Sequence, residues 1–272
     1  MERNAQAQKF TVGQTAGIEQ PTGRYVYCVV RASDAVNFGP IGVDQRNVHS
    51  VVFNDLCALV HDCQAQPYES RNPEVAAARV LAHHQVVAVA WRRWGVVLPL
   101  TFNTITIAKQ GDAEGNLVAW LKAEHDWLDA KLNALTGKAE YGLQVFWDPL
   151  LISKQVAGSS PGIARLAEGI RSKARGLEHM YRQQLERLLR KEIEAKAEEE
   201  CKALYDLISR CVDNVKVERT KKGEPERQML MNLSCLVSAA KYADLEAELE
   251  KVSKMDGFSV RLAGPLPPYS FC

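Results

Sequence analysis

A run of β-branched and aromatic residues at 24–30 (RYVYCVV) opens the patterned part of the chain and predicts a strand. A stretch rich in Gly, Pro, Asn and Asp follows at 33–47. Two further apolar runs, 48–53 and 56–61, are joined by Asn54-Asp55, a hairpin signature. Asn72-Pro73-Glu74 predicts a helix start, with Asn72 as cap and Pro73 at the first position. Helical spacing then places Val75, Val80, Leu81, Val87 and Trp91 on one apolar side as far as Trp94, and Gly95 stops the helix. Residues 96–107 (VVLPLTFNTITI) read as the next strand, with Pro99 demanding an edge or a bulge. Leu117, Trp120, Leu121, Leu128 and Leu132 mark a second helix over 113–135, ended by Thr136-Gly137. This order predicts an antiparallel sheet covered by helices on one side. It is a ferredoxin-like sheet whose first crossover helix has become a loop.

The second half repeats the theme. Residues 139–147 read as a strand, and Ser160-Pro161 predicts the start of a long helix to about Asp213. Short runs at 215–219 and 228–237 flank a turn region at 221–225, and a helix over 242–254 with a strand over 258–262 completes the set. The order β-α-β-β-α-β is that of a ferredoxin-like domain. The expected fold class is therefore α+β, two ferredoxin-like sandwich domains, the second carrying a long helical or coiled-coil insertion. The expected divisions are a disordered leader at 1–22, an N-terminal domain at 23–136 and a C-terminal domain at 137–272.

Some fifty helical residues at 160–213 would reach roughly 75 Å, far beyond one small domain. One apolar row runs Ile163, Leu166, Ile170, Leu177, Tyr181, Leu185, Leu188, and a second runs Leu189, Ile193, Ala197, Cys201, Leu204, Ile208, Val212. The drift between rows predicts either an antiparallel helix pair or a projecting arm. The stretch 190–202 reads as a solvated charged face with i,i+4 pairs such as Glu192–Lys196 and Glu198–Lys202.

Composition removes several classes of function. Of 272 residues, 46% are hydrophobic and 25% charged, with a net charge of +1, so nothing biases the chain toward nucleic acid or an anionic lipid membrane. No apolar run approaches the ~20 residues of a membrane span. Seven cysteines without a CxxC pair are expected to be free thiols. His83 and His84 are adjacent and diverge on a helix, and His61 with Cys63 lacks a third ligand, so no metal is expected. His84 is expected to pack or cap at the helix–sheet boundary. The acidic Gly111–Gly115 stretch lacks the lysine of a phosphate loop, and neither GxSxG nor paired carboxylates occur. No catalytic constellation and no cofactor site emerge, so the chain is not expected to be an enzyme. The third-strand candidates 56–61 and 229–233 carry no aromatic, which disfavours an RNA-binding sheet. Arg92-Arg93 and Lys221-Lys222 need no partner beyond water. A small-ligand or regulatory pair of ferredoxin-like domains with a cleft between them is the alternative to an interaction protein.

The tail 264–272 (GPLPPYSFC) is stiff, extended and tipped with aromatics, and three prolines in four positions are expected to end the sheet after 262. Tyr269 and Phe271 suggest a segment that docks, in the first place on its own protein. Four pieces in order resemble the GvpF/GvpL family of gas vesicle proteins: the strand 25–30, the helix with His84 leading into 97–104, the strand 137–145, and the tail 264–271. Thr101 and Asn103 stand where the family has Arg and Gly, and Leu266 where it has Trp. The resemblance implies a non-enzymatic accessory or minor structural role in gas vesicle assembly, located at the gas vesicle in the cytoplasm. The implied partners are the small hydrophobic shell protein and other gas vesicle proteins. Candidate residues for partner binding or interdomain docking are Leu98, Pro99, Leu100 and Phe102, together with Pro265, Pro267, Pro268, Tyr269 and Phe271.

Overall fold

The computed structural model describes residues 23–107, 112–172, 175–221 and 227–272. The leader and most of the 221–225 turn, expected from sequence, lie outside the described residues. Strands β1 (Gly23–Arg31), β2 (Asn37–Gly39), β3 (Val48–Phe53) and β4 (Leu56–Cys63) precede helix α1 (Pro73–Trp94). The short strands β5 (Leu98–Pro99) and β6 (Ile105–Ile107) lead to helices α2 (Ala113–Ala123) and α3 (His125–Leu135). Strand β7 (Lys138–Trp147) is followed by helices α4 (Pro149–Ser159), α5 (Pro161–Ser172) and α6 (Arg175–Cys211). Strands β8 (Asn214–Val217) and β9 (Gln228–Ser238), helix α7 (Ala239–Ser253) and strand β10 (Phe258–Leu266) complete the chain.

Two antiparallel sheets result, ordered β2-β3-β4-β1-β5 with β6 also on β1, and β10-β7-β9-β8. Counting four main strands in each, both follow the ferredoxin-like order 4-1-3-2. A two-residue turn with Asn54 at φ 54° joins β3 to β4, as the hairpin signature predicts.

The first sheet departs from expectation in being covered on both faces, not one. Strand β4 alternates strictly: Cys57, Leu59 and Cys63 face the α1 side, while Leu56, Ala58 and Val60 face α2 and α3. Strand β1 does the same until a bulge between Val26 and Cys28, so that Tyr27 and Cys28 both join the α1 side. Near-continuous apolar runs are what a doubly covered strand requires. Leu117, Leu121, Leu128 and Leu132 are at most 1% exposed against one face, each contributing roughly 2 kcal/mol by burial.

Other expectations are corrected in detail. The buried seam of α1 is His83, Val86, Val87 and Ala90, whereas Val75, Val80 and Leu81 are exposed. Val87 of the expected side lies in this seam and Trp91 packs beside it, but a histidine heads the i, i+3, i+4, i+7 set, so counting apolar residues alone also draws in the exposed Val75, Val80 and Leu81. Residues 96–107 form two short strands around an excursion in which Asn103 takes φ 70°. The helix over 113–135 breaks at Glu124 into α2 and α3. Helix α4, absent from the sequence reading, starts where the Asp148 carboxylate accepts from the Leu150 and Leu151 amides and Pro149 occupies the first turn.

The long helix breaks into a pair, α5 and α6. Gly162 faces Leu188 and Gly169 faces Tyr181, so partner numbers fall as α5 advances and the pair is antiparallel. Leu185, Leu188, Leu189 and Ile193 pack with Ile152, Val156 and Ile163, while Leu204, Ile208 and Val212 join the second sheet and α7. On the charged face Lys196 pairs with Glu200 at 3.0 Å, and Glu192 accepts instead from Ser160 Oγ at 3.3 Å. Finally β10 does not stop at Leu262. It continues to Leu266, opposite Glu140, after a register shift, because an edge strand tolerates Pro265.

Candidate functional site

The segment after α1 returns to the first sheet at its edge. The Leu100 amide donates to the Tyr27 carbonyl at 2.9 Å, and Pro99 lies opposite Cys28. Leu98 is fully buried. Phe102 packs edge-on against Tyr25 and His83, with ring centroids 6.0 and 5.8 Å apart.

A chain of hydrogen bonds fixes this segment from beneath. Tyr25 Oη pairs with His83 Nδ1 at 2.9 Å, and His83 Nε2 with the Leu100 carbonyl at 3.1 Å. A carbonyl only accepts, so Nε2 carries the proton and Nδ1 accepts from the tyrosine. The Asn103 amide in turn donates to Tyr25 Oη at 3.1 Å. A parallel chain joins Tyr27 to His61 Nδ1 at 2.7 Å and His61 Nε2 to Tyr68 at 2.8 Å. Burial lowers both His61 and His83 to a pKa of about 4, so both rings are neutral at pH 7, and it pushes Tyr25 and Tyr27 well up.

The tail arrives at the same place from the second sheet. Pro267 and Pro268 are buried. Tyr269 stands edge-on to His84 at 4.7 Å. Phe271, 7% exposed, enters the core shared by Leu98, Leu132 and Leu135 of the first half and Leu236 of β9. The buried Glu140 carboxylate accepts from the Ser270 amide at 2.7 Å and from Ser270 Oγ at 2.6 Å. Lys216 donates to the Ser270 carbonyl and sits 5.5 Å from the Phe271 ring centroid.

Leu98, Pro99, Leu100, Phe102 and Tyr269 therefore line one cavity of about 410 Å³, together with His83, His84, Thr101, Trp127 and Cys272. Phe271 lies in the core beside it, while Pro265 is apart. That proline lines a cleft of about 390 Å³ with Arg92, Lys138, Tyr141 and Tyr242. A third cavity of about 540 Å³ lies between β6 and α2. Glu140, Ser270 and Lys216 were invisible to sequence reasoning: residues 140 and 270 meet only in space, and no periodicity links them.

Burial pushes the thiols of all seven cysteines up, so none is a thiolate nucleophile at neutral pH. Among the described residues, no three His, Cys, Asp or Glu side chains are placed to hold a metal. No helix among them is long and apolar enough to cross a membrane.

Comparison with known proteins covers nearly the whole chain. A family model described as gas vesicle synthesis protein GvpL/GvpF matches residues 23–272. Gas vesicle protein L of Haloferax mediterranei is 25% identical over 289 residues, covering 92% of this chain and 87% of the relative. Gas vesicle protein F of a Streptomyces species is 27% identical over 251 residues, covering 91% and 98%. The crystal structure of the gas vesicle protein GvpF from Anabaena sp. PCC7120 superposes with a TM-score of 0.72 at 17% identity, covering 92% of this chain and 98% of that one. That of GvpF from Microcystis aeruginosa gives 0.62 at 16% identity, with the same coverage. At such identity these two structures establish the shared fold.

Proposed function

The chain belongs to the gas vesicle synthesis protein GvpL/GvpF family, and on that footing we propose that it is a non-enzymatic accessory protein of gas vesicle assembly that binds the small hydrophobic shell protein. The shell protein, before assembly, presents apolar, strand-rich surface that aggregates when left uncovered. A protein that captures it offers an apolar surface and a free strand edge. The observation that carries this reading is the convergence of two separate segments, 98–102 and the tail, around one cavity at the edge of the first sheet. Both segments belong to the sequence features shared with the family. The chain then works as two units, 23–136 and 137–272, at the gas vesicle and in the cytoplasm around it, with other gas vesicle proteins as further partners.

Co-precipitation tests the reading. Shell protein from dissociated gas vesicles of the same organism, diluted out of denaturant onto the immobilised intact chain, is expected to be retained. A triple variant Leu100→Asp, Phe102→Asp and Tyr269→Asp is expected to retain at least tenfold less. Equal retention by both, or none by the intact chain, sinks the proposal.

A further inference from the structure

We infer that the partner is taken up at β6, on the same edge of the first sheet but beside the cavity between β6 and α2, by addition of an uncharged apolar strand to its outer side. This rests on the reading given above. The expected strand 96–107 is split, and its two pieces have different fates. Strand β5 is buried, and Phe271 of the tail shares a core cluster with Leu98. Strand β6, among the described residues, pairs with β1 alone.

The register says which backbone groups face outward. The Val26 amide donates to the Thr104 carbonyl at 2.8 Å, and Arg24 lies opposite Thr106. In an antiparallel ladder alternate residues exchange their hydrogen bonds and those between point away. Ile105 and Ile107 are the ones between. The Ile107 carbonyl is taken by Asn116 Nδ2 at 2.9 Å. By this register the Ile105 amide, the Ile105 carbonyl and the Ile107 amide face the outer side of β6, where no other strand among the described residues lies, an alternation that an added strand satisfies.

The surroundings define the occupant. Beside the edge, Leu100, Ile105, Ile107, Leu117 and Trp120 line the cavity of about 540 Å³, and Ile107 is 56% exposed. Among the described residues the cation alongside, Arg24, is tied to Asp62 at 3.2 Å and Glu114 at 3.4 Å, so the described lining of the edge is apolar and neutralised, which favours a neutral apolar segment. A three-residue edge spans only about 10 Å, room for one short strand segment.

Two variants at an exposed position test this without threatening the fold: Ile107→Lys places a charge at the groove, and Ile107→Pro removes an outward amide. Retention of the dissociated shell protein is expected to fall at least tenfold in both, with thermal midpoints unchanged. In the wild type, amide exchange at Ile105 and Ile107 is expected to slow at least tenfold when the shell protein is added. Undiminished retention by both variants, with exchange unaltered, overturns the assignment to β6 while leaving shell-protein binding intact. No retention by the wild type overturns the functional reading itself. Self-association of the wild type that Ile107→Lys abolishes makes a second copy the occupant and overturns this inference.

Discussion

Lowering the pH from 7 to 4 is expected to remove on the order of 6 kcal/mol of stability through two histidines alone. In the unfolded chain each imidazole takes up its proton near the ordinary value of 6.5, whereas in the fold His61 and His83 do so only near 4. Burial is the main cause for both. Arg46 and His49 add to it at His61, and His84 at His83. Between those values the unfolded state binds more protons than the folded one, so stability falls as the pH falls through the window and levels off below it. At about 1.4 kcal/mol per pKa unit, each ring accounts for roughly 3 kcal/mol, against a total stability typically of 5–15 kcal/mol. Urea midpoints at pH 7, 5.5 and 4 measure the effect. Carboxylates held low by hydrogen bonds, such as Asp55 with His125, add acid sensitivity of their own. The comparison that isolates the histidines is therefore with a His61→Gln, His83→Gln double variant, which is expected to lose most of the slope between pH 6.5 and 4. Identical slopes in the two proteins would show that the rings are not held neutral.

The second large effect is expected at the other end of the chain. Phe271→Ala should cost about 3–5 kcal/mol, the range for deleting a buried phenylalanine side chain. Its ring is 7% exposed and packs among Leu98, Leu132, Leu135 and Leu236. The Lys216 ammonium 5.5 Å from its centroid contributes up to about 1 kcal/mol more. Tyr269→Phe is the contrasting change: the Tyr269 hydroxyl is buried without a partner among the described residues, so removing it should be neutral or slightly stabilising. Denaturant midpoints of the two variants separate the outcomes. A loss below 1 kcal/mol for Phe271→Ala would mean that the tail is not seated in the core.

The contrast between these residues shows what the sequence could convey. Strand order in both halves was legible because turns such as Asn54-Asp55 and runs such as 228–237 carry local signals. The α4 signal, Asp148-Pro149, was equally local and simply lay too close to the end of β7 to be read as a separate start. The double cover of the first sheet was written in the unbroken apolarity of 24–30, yet the bulge after Val26 blurs its alternation. The α1 seam was legible only in part, through Val87, because a histidine heads it, and that histidine's role depends on Tyr25, 58 residues away. The aromatics of the tail announced docking. Their anchors, Glu140 for Ser270 and Lys216 for Phe271, come from strands far away in sequence and became visible only once both sheets were placed. The edge followed the same rule: Pro99 pointed to one, but only the register showed that, among the described residues, Ile105 and Ile107 turn their backbone groups away from β1.

The claim that most needs testing is capture of uncovered shell protein, and dilution out of denaturant tests it directly. Dissociated shell protein is diluted into buffer with or without an equimolar amount of the intact chain and followed by light scattering and pelleting. The chain is expected to suppress scattering, with both proteins remaining together in the supernatant. Pelleting of the shell protein to the same extent in both samples, with the chain left alone in solution, would contradict it.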